Sequence, residues 1–579
     1  RLEGDSTIKS FAGPIDFGVI TSPIARNLGV DTPGVATFGG TIGTLLNPLG
    51  SIDRVGGGQS ILNGTTFTLG QQSYANDVRF NNALDINAGG TLFIGGASTL
   101  GGDVNVLSNG ATFLGAVDSF GGPKSLHVTS SGPILFGSAI GAGGALQNLT
   151  VDGGGVTAIN TLVNVLNAAD FANSTLLGSD VDLQGGTFRF GGALDSGAGG
   201  PHDLRSLGTG TVEFVGDVGT LARLGAVDTA LATDTRLHGD LLATNAIRLS
   251  ELHLLDPGLK TISSLGGQID FLGAVAADSF AALDVFSPAL VEFHSTVGSG
   301  IGGLGALGTI NRTGGGLTIL NGDTTTSGLQ SFDGDLDLNG ALTLTSGGLF
   351  NVVGGTRMFG DTILNTSGFA FGGSVGSAGG SRSLIITNSG IGSFAAGAGS
   401  GGALSTLTIG GSGLTRFAGN VRLIPGGVMT MNQFTEIAGP SDFRAGTINF
   451  NSTVNAASGA INPSLLLIAD AANFNGDVGA LRALASLDAG GVTLSKVAGN
   501  VSATGLQKWG SLLLIGTPGV RNFNAGSATF GAVDALTNTI GMTVNAPGTV
   551  TLAGPVGMGT IAGGSTLASL LSTGSATIV

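Results

Sequence analysis

The chain has 579 residues, of which 108 are glycine and only 10% are charged; its formal net charge is −15 and it has no cysteine. This balance excludes disulfides and thiolate metal sites, and it argues against nucleic acid or anionic lipid, which need clustered positive charge. A hydrophobic fraction of 41% recurring with period two excludes a glycine-rich linker, and 15 prolines are too few for collagen.

Residues 1–34 differ from the rest by their charges, and only Phe11-Ala-Gly-Pro echoes the motif of the remaining chain. They read as an N-terminal lead-in strand or linker ahead of one continuous repeat domain, residues 35–579. From there the pattern Phe-x-Gly/Ser-x-Val recurs in pairs, beginning at Phe113 and Phe136, Phe190 and Phe214, Phe271 and Phe293, Phe371 and Phe394, and Phe450 and Phe474. Within a pair the spacing is 22 to 24, and the first Phe of successive pairs advances by 77, 81, 100 and 79. Phe38 and Phe530 extend the series at its two ends. Such repetition marks a stack in which each layer buries its apolar face only against its neighbours.

Asn-Gly pairs at Asn63, Asn109, Asn321, Asn339 and Asn475 mark tight turns, and β-branched residues fit the pleated faces between them. The fold expected is all-β: a right-handed parallel β-helix with rungs of about 20 residues, grouped in super-repeats of about 80. On that spacing a super-repeat is four coils. The long step holds a fifth, within residues 317–359, where two alternating strand patterns flank Asn339-Gly340. About 29 rungs at about 4.8 Å each give a rod of about 140 Å. The twelve phenylalanines named above are its expected core, stacked rung upon rung. Single helical turns are expected at 279–283 and 566–571. No run of 18 apolar residues offers a membrane-spanning helix. Residues 563–579 still read as repeat material without a polar cap, so a longer native chain or a docking end is expected.

Chemistry is sparse. The five histidines, His127, His202, His238, His253 and His294, have no zinc-ligand spacing and read as structural or solvent-facing. The best metal candidates are Asp333, Asp335 and Asp337, whose spacing of two would align three carboxylates on one strand face for calcium; Asp180 and Asp182 are a shorter version. Neither group has a basic residue close by in sequence. Glycine-rich runs lack the Lys-Ser/Thr of a phosphate loop, and no nucleophile motif has a companion histidine. Asn-x-Ser/Thr at Asn63, Asn148, Asn173, Asn311, Asn365, Asn451 and Asn500 offers glycan attachment points. No catalytic residue and no cofactor is expected.

Gln72-Ser-Tyr-Ala-Asn-Asp-Val and Gln330-Ser-Phe-Asp-Gly-Asp-Leu, with the Phe-x-Gly-x-Val and Ser-Leu-x-Val strings, resemble the repeat units of filamentous-haemagglutinin-like bacterial exoproteins. The resemblance implies a secreted, non-catalytic β-helix at the cell surface, in adhesion or matrix building. Expected partners are a glycan or cell-surface receptor and, end to end, other copies of the chain. The alternatives are a filament subunit of a sheath or matrix, and a polysaccharide-degrading β-helix enzyme.

Overall fold

The computed structural model describes residues 1–298, 305–573 and 575–578. Among these residues there is no helix, and 55% are in strands stacked as a parallel β-solenoid of about 26 turns in all. The helical turns expected at 279–283 and 566–571 are instead overlapped by the strands Ala282–Phe286 and Leu570–Ser572. Two compact units divide the chain, Arg1–Ala289 and Leu290–Val579.

In the first unit a turn carries three short strands. One turn is Thr66–Thr68, Gln72–Tyr74 and Val78–Phe80; the next is Leu84–Ala88, Leu92–Ile94 and Ser98–Leu100. Each strand pairs in parallel with its counterpart one turn on, as in Thr66↔Ile86, Gln72↔Leu92 and Val78↔Ser98. Three ladders result, which we call the first, second and third faces in the order of those strands. Inward and outward residues alternate on each, because successive side chains of a strand point to opposite sides. Residues 1–34 belong to the stack: Ser6–Lys9 pairs with Asn27–Asp31, and Ile15–Phe17 with Ala36–Phe38.

The second unit repeats this plan with Thr324–Thr326, Gln330–Phe332 and Leu336–Leu338 on its first, second and third faces. The repetition extends to single bonds. The Thr66 hydroxyl donates to Gln72 Oε1 at 2.8 Å and the Thr324 hydroxyl to Gln330 Oε1 at 2.9 Å. The Gln72 amide donates to the Asn87 carbonyl at 3.0 Å, and that of Gln330 to Thr345 at 2.8 Å. Buried Arg54 and Arg312 donate to the carbonyls of Val55 and Thr313. Every pair is offset by the same interval of 258, so the two units are tandem copies of one sequence plan.

All twelve phenylalanines are buried. Phe113 lies beside Phe136 in register, Phe190 beside Phe214, Phe371 beside Phe394 and Phe450 beside Phe474. Their rings stack at 5.2, 5.7, 5.3 and 5.2 Å. A pair is therefore two consecutive rungs. Between pairs the arithmetic of four coils fails. Three turns carry Phe113 to Leu177 through Phe136 and Ile159, and Phe190 follows before a fourth is complete, on another face. In the first unit Phe38 lies on the third face, Phe113 on the second, Phe190 on the first and Phe271 on the third. Phe293, Phe371, Phe450 and Phe530 walk the same way in the second unit. The usual step between pairs is thus about three and two-thirds turns. Turns range from short ones such as Thr157↔Thr175 to long ones such as Leu194↔Val218. Their average exceeds the expected rung, which is why about 26 turns replace the expected 29. The segment 317–359 is filled by strands on these ladders and is not a loop.

Candidate functional site

The three aspartates named as the best candidates for calcium do not share a strand face. Only Asp337 lies in a strand, Leu336–Leu338; Asp333 and Asp335 lie in the turn before it. Asp333 accepts the Gly314 N–H at 3.3 Å and Asp335 the Gly355 N–H at 2.8 Å. Asp337 is held at both oxygens by the Arg357 guanidinium, at 2.6 and 2.7 Å, one turn along the ladder. That pairing raises the Arg357 pKa. Asp182 likewise meets Arg205 at 2.9 Å through both oxygens, and Asp180 accepts the Asp203 N–H at 2.9 Å. So both groups have a basic partner, which is distant in sequence and one rung away in space.

Bonding across one rung is the general use of acidic and amide side chains here. Asp77 accepts from the Ala97 N–H, Asp103 from Ser125, Asp217 from Asp240, Asp361 from Ser383 and Asp477 from Asn500, all at 2.7 to 3.0 Å. Each acceptor ties the corner of the next turn, where the ladder leaves a backbone donor free.

The same device joins the two motifs in three of the five Phe pairs. After the second Phe of a pair the motif runs on into a glycine with positive φ: Gly141 at 75°, Gly219 at 72°, Gly479 at 71°. There the chain leaves the ladder in a short projecting loop. After the first Phe of three pairs it runs on into Asp or Asn, whose side chain clamps that loop from one rung below, whereas Ala276 and Gly376 stand there after Phe271 and Phe371. Asp118 accepts from Gly143 at 2.7 Å, Asp195 from Leu221 at 3.0 Å, and Asn455 from Leu481 at 3.0 Å. Asp534 accepts from Ile561 at 2.7 Å in the same manner. Leu221 and its tandem equivalent Leu481 sit at loop tips with 89% and 77% of their surface exposed.

The densest charge lies on the first unit. Along its first face the outward column runs Asp85, Asn105, His127, Thr150, Asp170, Arg189, Glu213, Arg236. On the third face Asp182, Arg205, Asp228, Arg248 and Asp270 alternate in sign rung by rung. Arg189 meets Asp170 at 3.1 Å, and Arg248 meets Asp228 at 3.1 Å. A shallow hollow of about 460 Å³ opens on the third face, lined by Asp180, Asp182, Asp203, Arg205 and Asp228. Arg205 closes on Asp182, and Asp203 accepts the Ala226 N–H at 2.6 Å. These contacts hold the carboxylates apart in separate bonds, so the hollow does not gather them around one reacting atom.

All five histidines stand against carboxylates, a pattern their isolated positions in the sequence do not show. His238 bridges Glu213 at 3.2 Å and Asp256 at 2.7 Å, joining the rungs on either side. His253 meets Glu251 at 2.8 Å and His127 meets Asp152 at 2.9 Å. His202 and His294 lie 3.9 and 3.6 Å from Asp180 and Glu292. The His238 hydrogen bond holds the Asp256 carboxyl below its ordinary range. Burial pushes Asp234 and Asp152 up, but hydrogen bonds to Thr211 and Arg236, and to Thr129 and His127, outweigh it and leave both lowered.

Gln-x-aromatic, the string behind the family resemblance, locks a corner from inside. Gln72 also accepts from the buried Tyr74 hydroxyl at 3.2 Å. A third copy, Gln507-Lys-Trp509, is disguised in the sequence by its tryptophan. Its Gln507 amide donates to the Asn524 carbonyl at 2.7 Å, and the Trp509 indole donates to Gln507 at 3.4 Å. No protein-family model, curated protein or solved structure matches the chain.

Proposed function

We propose that this chain is a non-catalytic structural element at a bacterial cell surface, a fibre or adhesin stalk of the filamentous-haemagglutinin-like kind. One observation carries the reading. Asp182, Asp337 and His238, three of the side chains that could do chemistry, are committed to partners on neighbouring rungs. A group whose lone pairs already bind the rung above holds register and is poorly placed to move a substrate's proton. Columns of stacked, buried phenylalanine add a core that each turn shares with the next. A chain without cysteine also has no thiol to oxidise outside the cell.

The experiment is incubation of the purified chain with acidic and neutral polysaccharides, read by reducing ends and by ultraviolet absorbance of unsaturated products. No turnover is expected. Turnover that Asp182→Asn or Arg205→Gln abolishes would overturn the reading in favour of a β-helix enzyme.

A further inference from the structure

The tandem copies differ most at one place. The outward column of the first face in the second unit is Thr343, Ile363, Ile385, Thr408, Thr430, Asn449 and Asn473. Position for position it matches the column of the first unit running from Asp85 to Glu213, at an offset of 258 and then 260. Five of those seven positions are acidic, basic or histidine in the first unit, and none is in the second. Ile363 and Ile385 are each 40% exposed, and the polar members bond among themselves: the Asn473 amide donates to Asn449 at 2.6 Å. The neighbouring outward residues Thr345, Asn365 and Thr387 on one side, and Thr406 and Val428 on the other, are neutral too. Asp361, Arg382 and Asp470 along the margin where these strands begin, and Lys496 one turn beyond Asn473, mark the limits of the neutral area.

We propose that this face of the second unit binds the same face of a second copy of the chain. Charge supports that occupant. Two molecules of net charge −15 repel, and this face lets them meet with no like charges opposed. Size agrees as well. Seven rungs about 4.8 Å apart and strands of about five residues cover about 500 Å². A face-to-face pair then buries about 1,000 Å², at the lower limit for a specific interface. Packing is sheet on sheet at about 10 Å, with Ile363 and Ile385 central. An interface at that limit is weak and transient.

The test is sedimentation equilibrium of the full chain from about 10 µM to 1 mM, with the double variant Thr430→Asp/Asn473→Glu. These changes install the acids that stand at Asp170 and Glu213 in the first copy, a fold that accommodates them. Circular dichroism checks that the variant is folded, and Ser393→Asp on the second face is the control. A dimer that the double variant weakens at least tenfold, and the control leaves intact, supports the proposal. Monomer at every concentration overturns it, whether or not a glycan binds. So does a dimer indifferent to the double variant.

Discussion

Replacing Phe394 by alanine tests the aromatic column where it is densest. Phe394 stacks on Phe371 at 5.3 Å and 18°, on Phe417 at 5.2 Å and 4°, and meets the edge of Phe369 at 5.1 Å. Its tandem equivalent Phe136 stacks on Phe113 at 5.2 Å and faces Ile159 on the other side. Removing a buried phenylalanine costs about 3–5 kcal/mol through lost transfer energy and a cavity. Each aromatic pair contributes about 0.5–1.5 kcal/mol beyond burial. Phe394→Ala therefore belongs at the upper end, near 5 kcal/mol, and Phe136→Ala near 3–4 kcal/mol. Because a solenoid turn touches only its neighbours, the loss is local. Hydrogen exchange read by mass spectrometry is the assay. Ile391–Phe394 and Leu414–Phe417 should lose protection in the first variant, and Ala111–Phe113 and Ile134–Phe136 in the second. A loss below about 1 kcal/mol for Phe394→Ala, or equal losses in the two variants, would refute the stacking argument.

Gly219→Ala and Gly479→Ala each force a side chain onto a positive φ, with the new Cβ 2.1 and 2.2 Å from the carbonyls of Leu242 and Ser502. Each should cost at least about 2 kcal/mol in thermal unfolding, whereas Leu221→Ser at the exposed loop tip should change it by less than about 0.5 kcal/mol. Millimolar calcium should leave the melting temperature unchanged, since Asp333, Asp335 and Asp337 have separate partners; a calcium-dependent rise abolished by Asp335→Asn would restore the metal site. Asp152, Asp234 and Asp256 are all lowered in the folded chain. Their stabilisation is complete above the ordinary carboxylate value near pH 4 and is lost as pH falls below it. Protection factors in the first unit, with the intrinsic pH dependence of exchange divided out, should therefore fall below about pH 4, and Asp234→Asn should flatten that dependence; an unchanged slope would contradict it.

The fold was legible because burial writes itself into the chain as a period. A phenylalanine that returns after the length of one turn is one ring above another, and Asn-Gly and glycine-rich corners mark where the strands end. What linear spacing could not convey was the face on which each pair sits. The usual step between pairs fits four short turns or three and two-thirds longer ones, and only the register Phe113↔Phe136↔Ile159↔Leu177 decides. The aspartate trio misleads for a related reason. Alternation places residues on one side only while the strand continues, and the turn at Asp333 and Asp335 interrupts it. Arg357 escapes a local reading because a partner one rung away is a whole turn distant in sequence. The tandem plan was visible in principle: Ile61-Leu-Asn-Gly returns as Ile319-Leu-Asn-Gly, and Gly216-Asp-Val-Gly as Gly476-Asp-Val-Gly. Outward substitutions such as Asp85 to Thr343 hide it, since outward positions are free to vary while inward ones keep their size.

A position outside the cell is open to immunogold labelling of intact source cells with antibodies against the folded chain. Label on the outer surface, removed by external protease, is the expected result. Label confined to the interior of permeabilised cells, with intact cells unlabelled, would contradict it.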